Sequence, residues 1–294
     1  MTSLVRRTPL VPLPGVPGVS LKLESLQRTG SFKIRGAALK LEALDAGERR
    51  RGIVAASAGN HGLGVAAVAQ ALGIRAEIFV PATAPEVKRR GIAAFGAEIV
   101  LAGNDYQSAE DAAHDRAAQS GAIYVSAYDD PLIMRGNGGT LAEEILAQAP
   151  GTKRILCPVG GGGLIAGMAE ALDGREVDLI GVQPEVNCAM YESLKLGRAL
   201  TRYEGGATLA EGCEGAVAES TFAICRDRGV AIRTVSESAI RRAVARAYRL
   251  GFVVEASAAV PLAYVFDAGA LPDSVVVISG GNIDAELLDR LISV

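Results

Sequence analysis

The chain has 294 residues, 49% of them apolar and 21% charged, with a formal net charge of −3. This length supports a large core and, as a prior, two domains, and the composition excludes a disordered chain. The charge is small, and its only dense basic runs, ERRRG at 48–52 and KRRG at 88–91, read as solvated helix ends, which argues against a nucleic-acid partner.

The N-terminal MTSLVRRTPLVPLPG has no long apolar run before Pro9 and Pro12, so no signal peptide is expected. No segment has the unbroken apolar length of a membrane span. Cys157, Cys188, Cys213 and Cys225 are widely spaced and form no CxxC, which points to a reduced, cytoplasmic protein. His61 and His114 stand at no metal-ligand spacing from them, so a zinc site is not expected.

In chain order, RTGSFKIRGA (28–37) comes first. It sets one amine, Lys33, among small and apolar residues where a loop enters an Ala- and Leu-rich helix. A surface lysine is the plain reading; a partly desolvated nucleophile or base is the sharper one. Strands then alternate with helices. GIVAAS (52–57) precedes the helix GLGVAAVAQALG, AEIFVP (76–81) a helix around Pro85–Phe95, and AEIVLAG (97–103) a helix over Tyr106–Ser120. AIYVSA (122–127) precedes TLAEEILAQA (140–149), and RILCPVG (154–160) precedes LIAGMAEALDG. VDLIGVQP (177–184) is a strand; SESAIRRAVARAYRLG (236–251) and ASAAVPLAYVFDAG (256–269) are helices; SVVVISGG (274–281) is the last strand before a short terminal helix.

Continuous apolar strands alternating with helices predict an α/β protein with two open, doubly wound, mostly parallel sheets. The strands from Ile53 to Val125 make one set and those from Ile155 onward a second, joined by the N-terminal segment. The expected division is a larger unit of 1–48 and 132–294 and a smaller one of 49–131, with the active site between them.

Ligands in such folds sit at the carboxyl ends of the strands. Three loops fall there: AGNHG (58–62), GGGGL (160–164) and SGGN (279–282). In GGGGL, the N–H groups of Gly160, Gly161, Gly162 and Gly163 and the following helix start suit a phosphate that no side chain obstructs. A tight strand-helix turn usually needs only one or two glycines. No GK[ST] follows, so this is not a P-loop. GLGVAA (62–67) fits a loose dinucleotide pattern. Asn60 and His61 intrude before it and no acidic strand end follows, so a nicotinamide-dependent oxidoreductase is the weaker reading. Asn60 alone reads as a turn residue at a loop tip, His61 as a helix-start residue and Ser279 as an N-cap. Together, a phosphate holder, a lysine, a hydroxyl and an amide suit a phosphorylated aldehyde cofactor.

SFKIRGA, SAGNHG, GGGGL and SGGN, in this order, resemble the fold-type II pyridoxal-phosphate enzymes, whose architecture is tryptophan synthase β-like. More narrowly, they resemble the serine/threonine dehydratase branch, which includes serine racemase. The resemblance runs from RTPL to SGGNID. Related O-acetylserine sulfhydrylases and threonine synthases commonly have Thr or Ala after the SGN asparagine, so GNHG and SFK-x-RGA favour the dehydratases.

The resemblance implies that Lys33 carries pyridoxal 5'-phosphate as a Schiff base, is freed by the substrate amine and removes the α-proton. Phe32 would pack near the ring, Asn60 would bond its phenolic oxygen, Gly160 to Gly163 would hold the phosphate and Ser279 would face the pyridine nitrogen. Ser57, Ala58, Gly59, Asn60 and His61 would receive the substrate carboxylate. The implied reaction removes water and ammonia from a β-hydroxy amino acid to leave a 2-oxo acid.

Several departures bear on the substrate. Ala58 stands where serine racemase has the serine that serves as opposite-face acid/base, which argues against racemisation. GNGGT (136–140) replaces GQGT, and EASAA (255–259) replaces EGAGA. Glu211 falls where relatives often have an Asp near a divalent-cation site. Threonine, serine, 3-hydroxyaspartate and a bulkier β-hydroxy amino acid stay open as substrates. Racemisation or β-replacement, and a non-catalytic binding protein, are the alternatives. A homodimer is the assembly the resemblance implies.

Overall fold

The computed structural model describes residues 4–269 and 271–293. Its N-terminal part holds strands β1 (Leu10–Pro12) and β2 (Val19–Leu23), then helices α1 (Lys33–Glu42) and α2 (Ala46–Arg51). Next come β3 (Ile53–Ala56), α3 (Asn60–Leu72), β4 (Ala76–Val80), α4 (Glu86–Ala93), β5 (Glu98–Leu101), α5 (Tyr106–Ser120) and β6 (Ile123–Tyr124). A short α6 (Pro131–Met134) passes through a π-helical turn, Arg135–Gly139, into α7 (Thr140–Gln148). The rest is β7 (Arg154–Pro158), α8 (Gly163–Ala171), β8 (Asp178–Pro184), α9 (Ala189–Leu196), α10 (Glu219–Asp227), β9 (Ala231–Val235), α11 (Glu237–Arg249), α12 (Ala256–Ala268), β10 (Ser274–Ile278) and α13 (Ala285–Ile292).

These strands make two sheets, ordered β1-β2-β10-β7-β8-β9 and β5-β4-β3-β6. Among the strand pairs of the described residues, only β1–β2 is antiparallel. All residues of β3, β4 and β10 are buried, as helices on both faces require. In β10 the faces alternate. Val276 and Ile278 pack with Ile240 of α11 and Val260 of α12, whereas Val275 and Val277 pack with Ile145 of α7 and Ile165 of α8. In the smaller sheet, Ala55 and Ile78 face Val65 of α3 and Ile34 of α1, while Val54 and Phe79 face Ala109 and Ala113 of α5.

The doubly wound pattern expected from the sequence is present. Two details differ. AIYVSA yields only Ile123–Tyr124 as strand, paired to β3 at the sheet edge. Beyond it, Ser126 Oγ accepts from the N–H groups of Tyr128 and Asp129 and turns the chain away. Asn60 is not at a loop tip: with His61, the expected helix-start residue, it forms the first turn of α3.

Helix α1 is tied down by buried charge. The Arg35 guanidinium grips Glu24 at 2.7 and 2.8 Å on one side and Glu144 at 3.1 Å through two nitrogens on the other. Lys22 Nζ also pairs with Glu144, and donates to the Thr8 carbonyl at 2.7 Å. Paired forks of this kind satisfy charges that would otherwise be costly to bury. The π-helical turn closes the other side. A Cβ at Gly136 would stand 2.6 Å from Gly36 Cα, and Cβ atoms at Gly138 and Gly167 would strike the carbonyls of Leu164 and Met134. Backbone therefore meets backbone from α1 through the turn to α8.

Candidate active site

The carboxyl ends of β3, β7 and β10 lead into the three loops singled out in the sequence. Lys33 opens α1 beside them, and the ring of Phe32 lies with its centroid 5.3 Å from Lys33 Nζ. The Lys33 amine donates to the Ala127 carbonyl at 2.8 Å. Burial lowers its pKa from 10.5 to about 8, against the opposing charges of Glu255 and Cys213. A helix start also disfavours a cation. About a tenth of the amine is therefore neutral at pH 7, far more than for an ordinary lysine, and this is the form that acts as nucleophile or base.

The glycine loop follows β7. Gly162, at φ 95°, is the N-cap of α8, a conformation glycine adopts without strain. A Cβ at Gly161 would lie 2.6 Å from the Tyr128 ring, and one at Gly163 would lie 2.7 Å from the Tyr128 carbonyl. The Thr221 hydroxyl of α10 holds the loop by donating to the Gly161 carbonyl at 2.8 Å. Among the described residues, no acceptor takes the N–H of Gly160, Gly161, Gly162 or Gly163. Unmatched donors at a helix start, in a loop whose own residues carry no side chains, fit a phosphate.

The loop after β3 makes a second donor cluster. The Gly59 N–H is taken by Ser57 Oγ at 3.1 Å, while those of Asn60 and His61 find no acceptor among the described residues. Ala58 packs its methyl against the core of the smaller sheet. His61 is buried, with Nε2 on the Val125 carbonyl at 2.9 Å and Nδ1 unpartnered. Burial, then the Lys33 charge, lowers its pKa to about 3, so the ring is neutral. Asn60 spans the cleft: its Nδ2 donates to the two Glu255 oxygens at 2.8 and 3.0 Å, and its Oδ1 accepts from Asn282 Nδ2 at 2.7 Å. Burial raises Glu255 to about 7.

Ser279 is buried after β10, and its carbonyl accepts from the Phe32 N–H at 3.0 Å. That bond joins the SGGN loop to the residue before Lys33. Lys33, Phe32, Ser57, Ala58, Gly59, Asn60, His61, the four glycines and Ser279 thus line or flank one cleft. Glu211 lies at its outer edge, paired with Lys88 Nζ at 2.5 Å. Among the described residues, no group of three or more His, Cys, Asp or Glu is placed to hold a metal ion. Sequence reasoning gave no role to Glu255, Asn282, Tyr128 or Thr221. Asn282 lay within SGGN and Glu255 within EASAA, so the signal was there without a partner to explain it.

GLGVAA, the rival dinucleotide pattern, serves packing. A Cβ at Gly64 would lie 3.1 Å from the backbone of Lys33 and Ile34, so this glycine lets α3 approach α1. The amine, the donor cradle, the amide and the buried hydroxyl together fit pyridoxal phosphate, on the chemistry of the donors alone.

Known proteins agree. The chain is 41% identical over 283 residues to an L-threonine ammonia-lyase of Thermotoga maritima, covering 94% of this chain and 70% of that protein. It is 37% identical over 296 residues to a catabolic L-threonine dehydratase of Staphylococcus aureus, covering 95% and 85%. Among solved structures, the processed threonine deaminase isoform 2 of Solanum lycopersicum superposes with a TM-score of 0.92 at 31% identity, over 99% of this chain and 88% of that one. A maize serine racemase superposes at 0.89 with 27% identity, over 98% and 92%. The family described as pyridoxal-phosphate dependent enzyme matches residues 1–280, and the chain belongs to it.

Proposed function

We propose that this protein is an ammonia-lyase that removes water and ammonia from a β-hydroxy amino acid of the L-threonine and L-serine class, leaving a 2-oxo acid. The observation that carries this reading is the Lys33 amine, held at about 8 by burial within the same cleft as the N–H cradle of Gly160 to Gly163. When bound, pyridoxal phosphate supplies an electron sink for charge developing at the substrate α-carbon. Lys33 would hold the cofactor through Nζ, and its amine, once free, would take the α-proton of the substrate. Gly160 to Gly163 would bind its phosphate, Asn60 would bond its ring oxygen, Phe32 would pack beside the ring and Ser279 would face the ring nitrogen.

The free N–H groups of Asn60 and His61 at the start of α3 receive the substrate carboxylate, with Ser57, Ala58 and Gly59 shaping the turn. His61 contributes backbone rather than ring, because its Nε2 is committed to Val125. Racemisation needs an acid/base on the opposite face, and the methyl of Ala58 cannot move a proton. The larger unit of 1–48 and 132–294 and the smaller unit of 49–131 flank the cleft in this reading. Four free, buried cysteines suit a reducing cytoplasm. A homodimer belongs to the same reading, and sedimentation of the purified protein tests it.

The test of the reaction is absorption of the cofactor-loaded protein before and after L-threonine, with 2-oxo acid assayed in the same cuvette. A shifted cofactor band with 2-oxo acid accumulating is expected. Lys33→Ala should keep its circular dichroism yet lose borohydride-fixable cofactor and turnover. Full turnover in that variant would remove Lys33 from the centre of the reading.

A further inference from the structure

A carboxamide can turn over at almost no cost in shape, exchanging a donor for an acceptor. At Asn60 that exchange would matter, because only the nitrogen can donate to a ligand oxygen. Two partners fix which end is which. The Thr29 carbonyl can only accept, and Asn282 Nδ2 donates to it at 2.8 Å and to Asn60 Oδ1 at 2.7 Å. That defines the oxygen end of Asn60. At the nitrogen end, Glu255 accepts from Nδ2 through both carboxylate oxygens.

The Glu255 carboxylate has no other hydrogen-bond donor and no ion pair with Lys33 among the described residues. Space is kept for it, since a Cβ on Gly280 would collide with Glu255 Oε1. Its backbone is pinned as well, the Glu255 N–H donating to the Gly280 carbonyl at 3.2 Å. One N–H of Asn60 Nδ2 is thus engaged by Glu255, which leaves the other for the ligand.

We propose that Glu255 is a positioning residue that acts through Asn60, holding the carboxamide with its nitrogen toward the ring oxygen of the cofactor. The inference rests on the cofactor site described under Proposed function. It assigns Glu255 no contact with the reacting atoms.

A mutant cycle read by cofactor affinity tests this, with pyridoxal phosphate titrated into the full chain after the cofactor has been removed. Glu255→Met keeps the length of the side chain and removes its acceptors, so affinity should fall about tenfold, the order of one hydrogen bond to a charged group. Glu255→Gln keeps an acceptor oxygen and should stay within about threefold of the wild type. In an Asn60→Ala background, Glu255→Met should loosen the cofactor no further, because its route through Asn60 is gone and losing its charge near Lys33 only favours the neutral amine. A purely structural role would instead give effects that multiply, and that result overturns the proposal, as does an unchanged affinity in Glu255→Met. If Glu255→Met fails to fold, Gly280→Ala displaces the carboxylate without replacing it. It should reproduce the loss in wild type and be silent beside Asn60→Ala, and any other pattern overturns the proposal. Absence of cofactor uptake by the wild type would instead remove the cofactor site itself, and this inference with it.

Discussion

Lys33 is costly to the fold in the form most abundant in water. Its folded pKa, about 8, lies below the ordinary 10.5, so its contribution to stability is full above 10.5 and is lost as pH falls through about 8. The cofactor-free protein near neutral pH therefore carries a penalty at this residue. Lys33→Met should raise its urea midpoint there, and the gain should fade as the pH is taken above 10.5, which paired denaturation curves at the two conditions would check. The residue was legible in sequence because a lone amine among SF and IRGA has no solvated neighbours to explain it. Glu255 was not legible. Its meaning depends on Asn60, separated from it by 195 positions, and no local pattern joins them.

At the scale of the element, α1 is held in place by charge rather than by capping, since Phe32 at its N-cap offers no side-chain bond. The Arg35 fork on Glu24 and Glu144 ties α1 to the segment after β2 and to α7. Removing one partner of a buried network leaves an uncompensated charge, so Glu144→Gln should lower unfolding free energy by about 3–5 kcal/mol. Urea denaturation of the purified variant measures this. A loss below about 1 kcal/mol would mean the network relaxes around the change. Long elements such as α5 and α12 were readable as Ala-rich stretches that end at a glycine. Strand β9 was missed because, as an edge strand with a half-exposed pattern, it lacks the continuous apolar run of the central strands. The network itself was hidden for the same reason as Glu255: four side chains from distant segments acquire partners only in the fold.

Across the whole molecule, few polar contacts close the cleft on its outer side. Lys88 of α4 reaches Glu211, and Ser220 of α10 reaches Asp129. Lys88 and Glu211 are both well exposed, so their pair is weak and screened by salt. Lys88→Glu would face Glu211 with a like charge. It should raise KM for the amino acid by up to about fivefold with kcat nearly kept, and added salt should erase the difference. The inner side of the cleft is built otherwise. From Gly36 through Gly136 and Gly138 to Gly167, main chain rests on main chain. Side chains elsewhere are compliant spacers that rotate, repack and absorb substitutions. This seam has only the buried Asn137 carboxamide, which takes the Gly36 N–H at 2.9 Å, so the span between the lysine-bearing helix and the glycine loop is a length set mainly by peptide geometry. The joint works as a gauge block. Variation of the cleft lining would change what is bound while this span stayed constant, and the reach of one lysine stem would not need to be retuned.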